Sequence, residues 1–133
     1  MSLARFEDMG KRDAAKLRAV GVGSAAALLA QAGTAKGRAE LAKKSGIGMA
    51  RILRWTNQAD LFRIKGVGQQ YADLLEAAGV DTVVELANRT SKNLSETLRK
   101  TNHAKKRVQK LPGATEVGRW IKQAKRLPRA IGY

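Results

Sequence analysis

The residues best placed to do chemistry in this 133-residue chain form a turn, Gly66-Val67-Gly68, which leads straight into a run with apolar residues at Ala72, Leu74, Leu75 and Ala78. A glycine-rich bend that opens a helix points unpaired backbone N–H groups outward at the positive end of the helix dipole, which suits a phosphate. Glycine also lets two helices turn sharply and pack closely with no ligand involved. These residues alone leave both roles open. Other chemistry finds less material. There is no cysteine, so no disulfide or thiolate metal site can form. The single histidine, His103, sits among lysines without a second ligand beside it. The carboxylates are scattered, with Glu7-Asp8 the one adjacent pair, and nothing assembles a nucleophile with its base. A dinucleotide fingerprint would need glycine where Tyr71 stands and a strand before the turn, and an ATPase-type phosphate loop would need Gly-Lys-Ser/Thr. We therefore expect no enzyme, no catalytic residue, no metal and no cofactor.

Composition sets the frame for that turn. Aromatic residues make up 5% of the chain while Ala, Leu, Lys, Arg and Gln are plentiful, a balance that favours helix over strand. The 26 Lys and Arg against 11 Asp and Glu give a net charge of +15, which points to a polyanionic partner. The charge is uneven: residues 1–65 carry +8, residues 66–96 carry −3 and residues 97–133 carry +10. A basic start followed by the Ala-rich stretch 24–30 invites comparison with a signal peptide. Glu7, Asp8 and Asp13 interrupt its basic part, however, and glycines interrupt its apolar part. No stretch approaches the roughly 20 apolar residues of a membrane span, so no membrane partner and a cytoplasmic location are expected.

The chain also repeats itself. A shift of 58 residues lays Leu3, Arg5, Gly10, Ala14, Leu17, Ala19, Gly21, Val22 and Leu28 on identical residues from Leu61 to Leu86. A shift of 65 lays Gly48, Arg54, Trp55, Gln58 and Ala59 on Gly113, Arg119, Trp120, Gln123 and Ala124, so the second copy carries seven extra residues, placed around 102–110. Each copy reads as five short helices between glycine turns, near 3–8, 11–20, 24–31, 36–45 and 49–61, then 59–64, 69–78, 82–88, 91–100 and 114–127. Gly79 is expected to stop one helix and Pro128 another, and Asp81 or Thr82 to cap a third. No alternation of period two runs long enough to propose a sheet. Trp55 and Trp120, at equivalent positions, are expected to anchor the two cores, with base stacking as the alternative.

Ile64-Lys65-Gly66-Val67-Gly68 with Ala72 and Leu75 resembles the helix-hairpin-helix pattern, and Lys44-Ser45-Gly46-Ile47-Gly48 and Leu111-Pro112-Gly113 stand at matching places as further hairpin-like turns. Two hairpins joined by a connector helix resemble the double helix-hairpin-helix domain, similar to the C-terminal domain of the RNA polymerase alpha subunit and to DNA-repair modules. That resemblance implies an all-α fold of two tandem five-helix, SAM-domain-like units: 1–58, whose first hairpin is degenerate, and 59–127, followed by a tail, 128–133. "ADLFRIKGVGQQYADLLEAAGVDTVVELA" and "KLPGATEVGRWIKQAK" also resemble a bacterial family known as a domain of unknown function, number 4332. Three departures bear on phosphate binding. Asp8 replaces the first glycine of the first hairpin, Ile52 stands where the second has alanine in the motif, and Pro112 removes an N–H from the fourth.

The expected function is non-enzymatic, largely sequence-independent binding of nucleic acid, DNA or RNA, through the phosphate backbone. The candidate contacts are Lys65, Gly66, Val67, Gly68, Gln69 and Gln70 at the best hairpin. They continue with Lys43, Lys44, Gly46, Gly48, Arg51 and Arg54 at the second, and with Lys105, Lys106, Arg107 and Lys110 in the basic connector. Gln69 and Gln70 serve equally as solvated first-turn residues. The alternative is a helical protein-interaction module whose basic surface meets an acidic protein partner.

Overall fold

The computed structural model describes residues 2–6 and 8–133. Among them the chain is all-α: a 3-10 turn, Leu3–Arg5, then α1 (Gly10–Ala19), α2 (Ala25–Ala32), α3 (Ala35–Ser45), α4 (Met49–Leu61), α5 (Gln69–Ala77), α6 (Val83–Ala87), α7 (Ser91–Lys105) and α8 (Ala114–Arg126). No strand occurs among the described residues; Ser2 and Ser24 make an isolated bridge.

Local sequence explains most boundaries. Helix α1 stops at Gly21 (φ +88°) and α5 at Gly79 (φ +91°), a backbone region that only glycine enters cheaply. Each stop is closed by the same pair of bonds. Gly21 N–H donates to Arg18 O and Val22 N–H to Leu17 O, and 58 residues later Gly79 donates to Glu76 O and Val80 to Leu75 O. The next helix in each copy opens on a hydroxyl cap: Ser24 Oγ accepts from Ala27 N–H at 3.0 Å, and Thr82 Oγ1 from Glu85 N–H at 3.4 Å. Leu127, extended because Pro128 follows, ends α8.

Three elements run differently from the sequence pattern. The helix expected near 3–8 is a 3-10 turn over Leu3–Arg5, ended by extended Phe6. No separate helix spans 59–64: with no breaker after Trp55, α4 propagates to Leu61 before the chain turns. Helix α7 reaches Lys105 rather than about Lys100, because neither glycine nor proline interrupts it. Helix α7 has 15 residues where α3 has 11, so four of the seven extra residues of the second copy lengthen a helix.

The chain divides into two compact units, residues 1–60 with 130–133, and residues 61–129. In the first unit α3 packs against α1 and α2, around buried Leu17, Leu28, Leu41, Ile52 and Trp55. The last residues of the chain seat on this unit. Gly132 N–H donates to Gly33 O at 2.7 Å, and buried Arg38 donates to the carbonyls of Ala32, Gly33 and Gly132. In the second unit α8 packs against α6 and α7, and α5 against α7, around Leu75, Leu86, Leu98, Val117 and Trp120. Trp55 and Trp120 are each 1% exposed, which leaves neither face of either indole for a nucleobase.

Candidate nucleic-acid interface

The Gly66 turn is built from the end of α4. Ile64 N–H donates to Leu61 O and Val67 N–H to Ile64 O, and Gly66 takes φ +98° to bring the chain round into α5. Helix α8 lies close against it. A Cβ at Gly66 would stand 3.1 Å from Trp120 Nε1 and 4.0 Å from Glu116 Oε1. Gln123 clamps the preceding residue, accepting from Lys65 N–H at 2.9 Å and donating to Lys65 O at 3.2 Å. Val67 is buried, while Lys65 and Gly66 keep exposed edges. The turn therefore has a packing role against α8. Gly68 caps α5 without a side-chain bond, and Gln70 is exposed at its first turn. Gln69 is not: its side chain is buried and donates to Asp73 Oδ1 at 2.8 Å.

Two carboxylates stand at this corner beside exposed Lys65. Glu116 and Asp73 flank the turn, and burial, with the Glu116 carboxylate second, pushes the Tyr71 phenol up. Tyr71 packs on Trp120 at 5.2 Å between ring centroids and donates to Lys110 O at 3.1 Å, which ties the basic connector to α5.

That connector is a folded loop. Helix α7 ends at Lys106, whose φ of +48° is the one positive value outside glycine among the described residues. Asn102 then grips Val108 from both sides, donating to its carbonyl at 3.0 Å and accepting from its N–H at 2.9 Å. With Val108 pulled inward, Lys105, Lys106, Arg107 and Lys110 stand exposed, and their side chains make no ion pair among the described residues. Beside the connector is a cleft of about 460 Å³. Ser91, Lys92, Ser95, Glu96 and Arg99 of α7 line one wall, and Leu111, Pro112 and Ala114 the other. Arg99 lies 3.9 Å from Glu96, and Ser95 Oγ is buried with no hydrogen-bond partner.

The first unit arranges its cations differently. Lys43 and Lys44 are exposed in the last turn of α3, where cations suit the helix dipole. Gly46 (φ +75°) ends that helix, and the chain passes over buried Ile47 to exposed Gly48 at the start of α4. Arg51 and Arg54 are spoken for. Arg51 pairs with Asp13 and lies over the Trp55 ring at 4.8 Å, and Arg54 pairs with Asp8. The carboxylate that replaces a glycine in the first hairpin is thus the one that neutralises a candidate contact.

One group of cations escaped the sequence reading. Arg119, Lys122, Lys125 and Arg126 form an exposed stripe on α8, opposite buried Val117, Trp120, Ile121 and Ala124. The signal is in the sequence: Arg119, Lys122, Lys125 and Arg126 recur at i, i+3, i+6 and i+7, as the complement of the apolar face.

Fold and surface define a small, strongly basic, all-helical protein of two compact units. Among the described residues no helix is long and apolar enough to cross a membrane, and no cluster of His, Cys, Asp or Glu could hold a metal. The chain belongs to the family described as Domain of unknown function (DUF4332), whose model matches residues 7–127. No curated protein and no solved structure matches it.

Proposed function

We propose that this is a cytoplasmic, non-enzymatic nucleic-acid-binding protein of two tandem double helix-hairpin-helix units, which grips the phosphate backbone of DNA or RNA largely without reading sequence. The carrying observation is the unpaired charge of the second unit. Lys105, Lys106, Arg107 and Lys110 on the Asn102-fastened loop, and the α8 stripe from Arg119 to Arg126, are exposed cations with little acid among them. Phosphate contacts of this kind supply most of non-specific affinity. Hairpin amides have the lesser share. At the Gly66 turn Glu116 repels an approaching phosphate, and in the first unit Arg51 and Arg54 must first leave their carboxylates. Lys43, Lys44 and the open turn at Gly46 and Gly48 remain contacts of the first unit, with Lys65 and Gln70 at the edge of the second.

Filter binding of mixed-sequence duplex DNA and single-stranded RNA, measured from about 50 to 200 mM salt, tests the reading. Affinity for at least one polymer should fall linearly on a log–log plot, with a slope near −0.9 per phosphate contact on duplex DNA. Absence of binding to both at the lowest salt, with retention on an acidic protein, would replace this proposal with an interaction module for an acidic partner.

A further inference from the structure

We propose that the first unit carries a binding site for a small organic acid, an aryl or short acyl body bearing a carboxylate, in the cavity between the 3-10 turn and α1. The cavity has a volume of about 530 Å³, within the range of small-molecule sites. Leu3, Ala4 and Phe6 line it from the turn, and Gly10, Lys11, Ala14 and Arg18 from α1. Its floor is apolar: Leu3, Phe6 and Ala14 are all buried. Its rim is cationic. Lys11 and Arg18 are exposed, form no ion pair among the described residues, and stand seven residues apart on one helix, about 10.5 Å of rise. Side chains of that length can reach a single carboxylate between them, and the guanidinium fork matches carboxylate geometry. Asp13, the acid of α1, does not cancel them, because it is engaged by Arg51 and Lys16.

The two copies differ in charge at this place. Fifty-eight residues on, Ala14 is matched by Ala72, but Lys11 is matched by Gln69 and Arg18 by Glu76. Gln69 is buried and bonded to Asp73, so at the matching positions the second copy has a buried amide and a carboxylate where the first has two exposed cations. A phosphate backbone has no use for an apolar floor, and a neutral hydrocarbon has none for the two cations. The combination fits an amphipathic anion.

Titration of the ¹⁵N-labelled full chain with octanoate and with 1-naphthoate, followed by NMR, reads the site directly. Saturable shifts should centre on Leu3, Phe6 and the α1 amides, and 1-octanol should bind about tenfold more weakly or worse. Lys11→Gln with Arg18→Gln should bring octanoate down to the octanol level while DNA binding through the second unit persists. Ala14→Leu should block the cavity, and if that variant fails to fold, the double glutamine variant decides alone. Three results would overturn the proposal. They are equal binding of octanol and octanoate, the same shifts from inorganic phosphate alone, or displacement of octanoate by a DNA oligonucleotide, which would make Lys11 and Arg18 part of a nucleic-acid surface instead.

Discussion

Gly66→Ala, compared with Gly79→Ala, separates the two demands that this fold makes of a glycine. Both positions lie at positive φ, +98° and +91°, so an alanine at either suffers backbone strain of about 1–2 kcal/mol. Each substitution recovers about 0.4–1 kcal/mol by narrowing the unfolded ensemble. At Gly79 no heavy atom lies within 4 Å of the new methyl, and the net cost should be near 1 kcal/mol. At Gly66 the methyl meets Trp120 Nε1 at 3.1 Å, and the indole cannot withdraw, since it is 1% exposed and held in the core of the unit. Overpacking of that kind adds about 1–3 kcal/mol, for a net of about 2–4 kcal/mol. Urea titrations followed by helical circular dichroism give both values on one scale. The Trp120 emission, isolated in a Trp55→Phe background, should shift in the Gly66 variant only. Equal losses at the two positions would mean that the turn is not held against α8, and the packing role assigned to it would fall.

Three further outcomes are expected. Arg38→Met removes charge-assisted bonds to three carbonyls and should cost about 2–4 kcal/mol; amide exchange at Gly132 should quicken with it, and unchanged protection there would show that the tail is held by other contacts. Asp81 has its carboxyl pushed up by burial first and then by Glu85 and Glu76, so the folded chain holds this proton more tightly than the unfolded one. The stability it confers is present below the ordinary carboxylate pKa and is lost as pH rises through the folded value; Asp81→Asn should therefore raise the melting temperature at pH 7 and lose that advantage near pH 3, and a gain independent of pH would contradict the assignment. Alanine at Lys105, Lys106 and Arg107 together should lower the salt slope on duplex DNA by about 2.7, which narrows the loss of affinity between 50 and 200 mM salt by roughly 40-fold, whereas Gln69→Ala with Gln70→Ala should leave it nearly unchanged.

Helix class and most helix ends were legible because their causes are local. Gly21 and Gly79 stop helices through their own φ, Ser24 and Thr82 cap through their own hydroxyls, and Pro128 fixes the residue before it. The buried tryptophans were legible through repetition, since two bulky apolar residues at one register of a duplicated pattern need a core. The seating of residues 130–133 on the first unit was not. It depends on Arg38 reaching carbonyls that include one 94 residues away, and no spacing rule announces a buried cation satisfied by backbone. The candidate site was legible as a list of cations and poorly as a surface. Sequence gives the sign of Arg51 and Arg54, but only folding brings Asp13 and Asp8 to them.

This difference moves the weight of the functional reading from the motif to the charge. A hairpin turn attracts a phosphate through partial charges on a few amides, an attraction that falls off within the first helical turn. A full carboxylate at the same corner opposes it, and Glu116 stands at that corner. The four connector cations, exposed beside the Asn102–Val108 bonds, carry whole charges into solvent, where on the proposed reading they would replace counterions on a polyanion. The most motif-like stretch of the chain is therefore the one with most to do inside the fold: Gly66, Gln123 and Trp120 lock α8 in place, and α8 in turn presents Arg119, Lys122 and Arg126 on its outer face. On the proposed reading a defect in the turn would act on nucleic-acid binding through that stripe, so Gly66→Ala should weaken binding in proportion to lost structure. Lysine-to-alanine changes in the connector should weaken it with the fold intact.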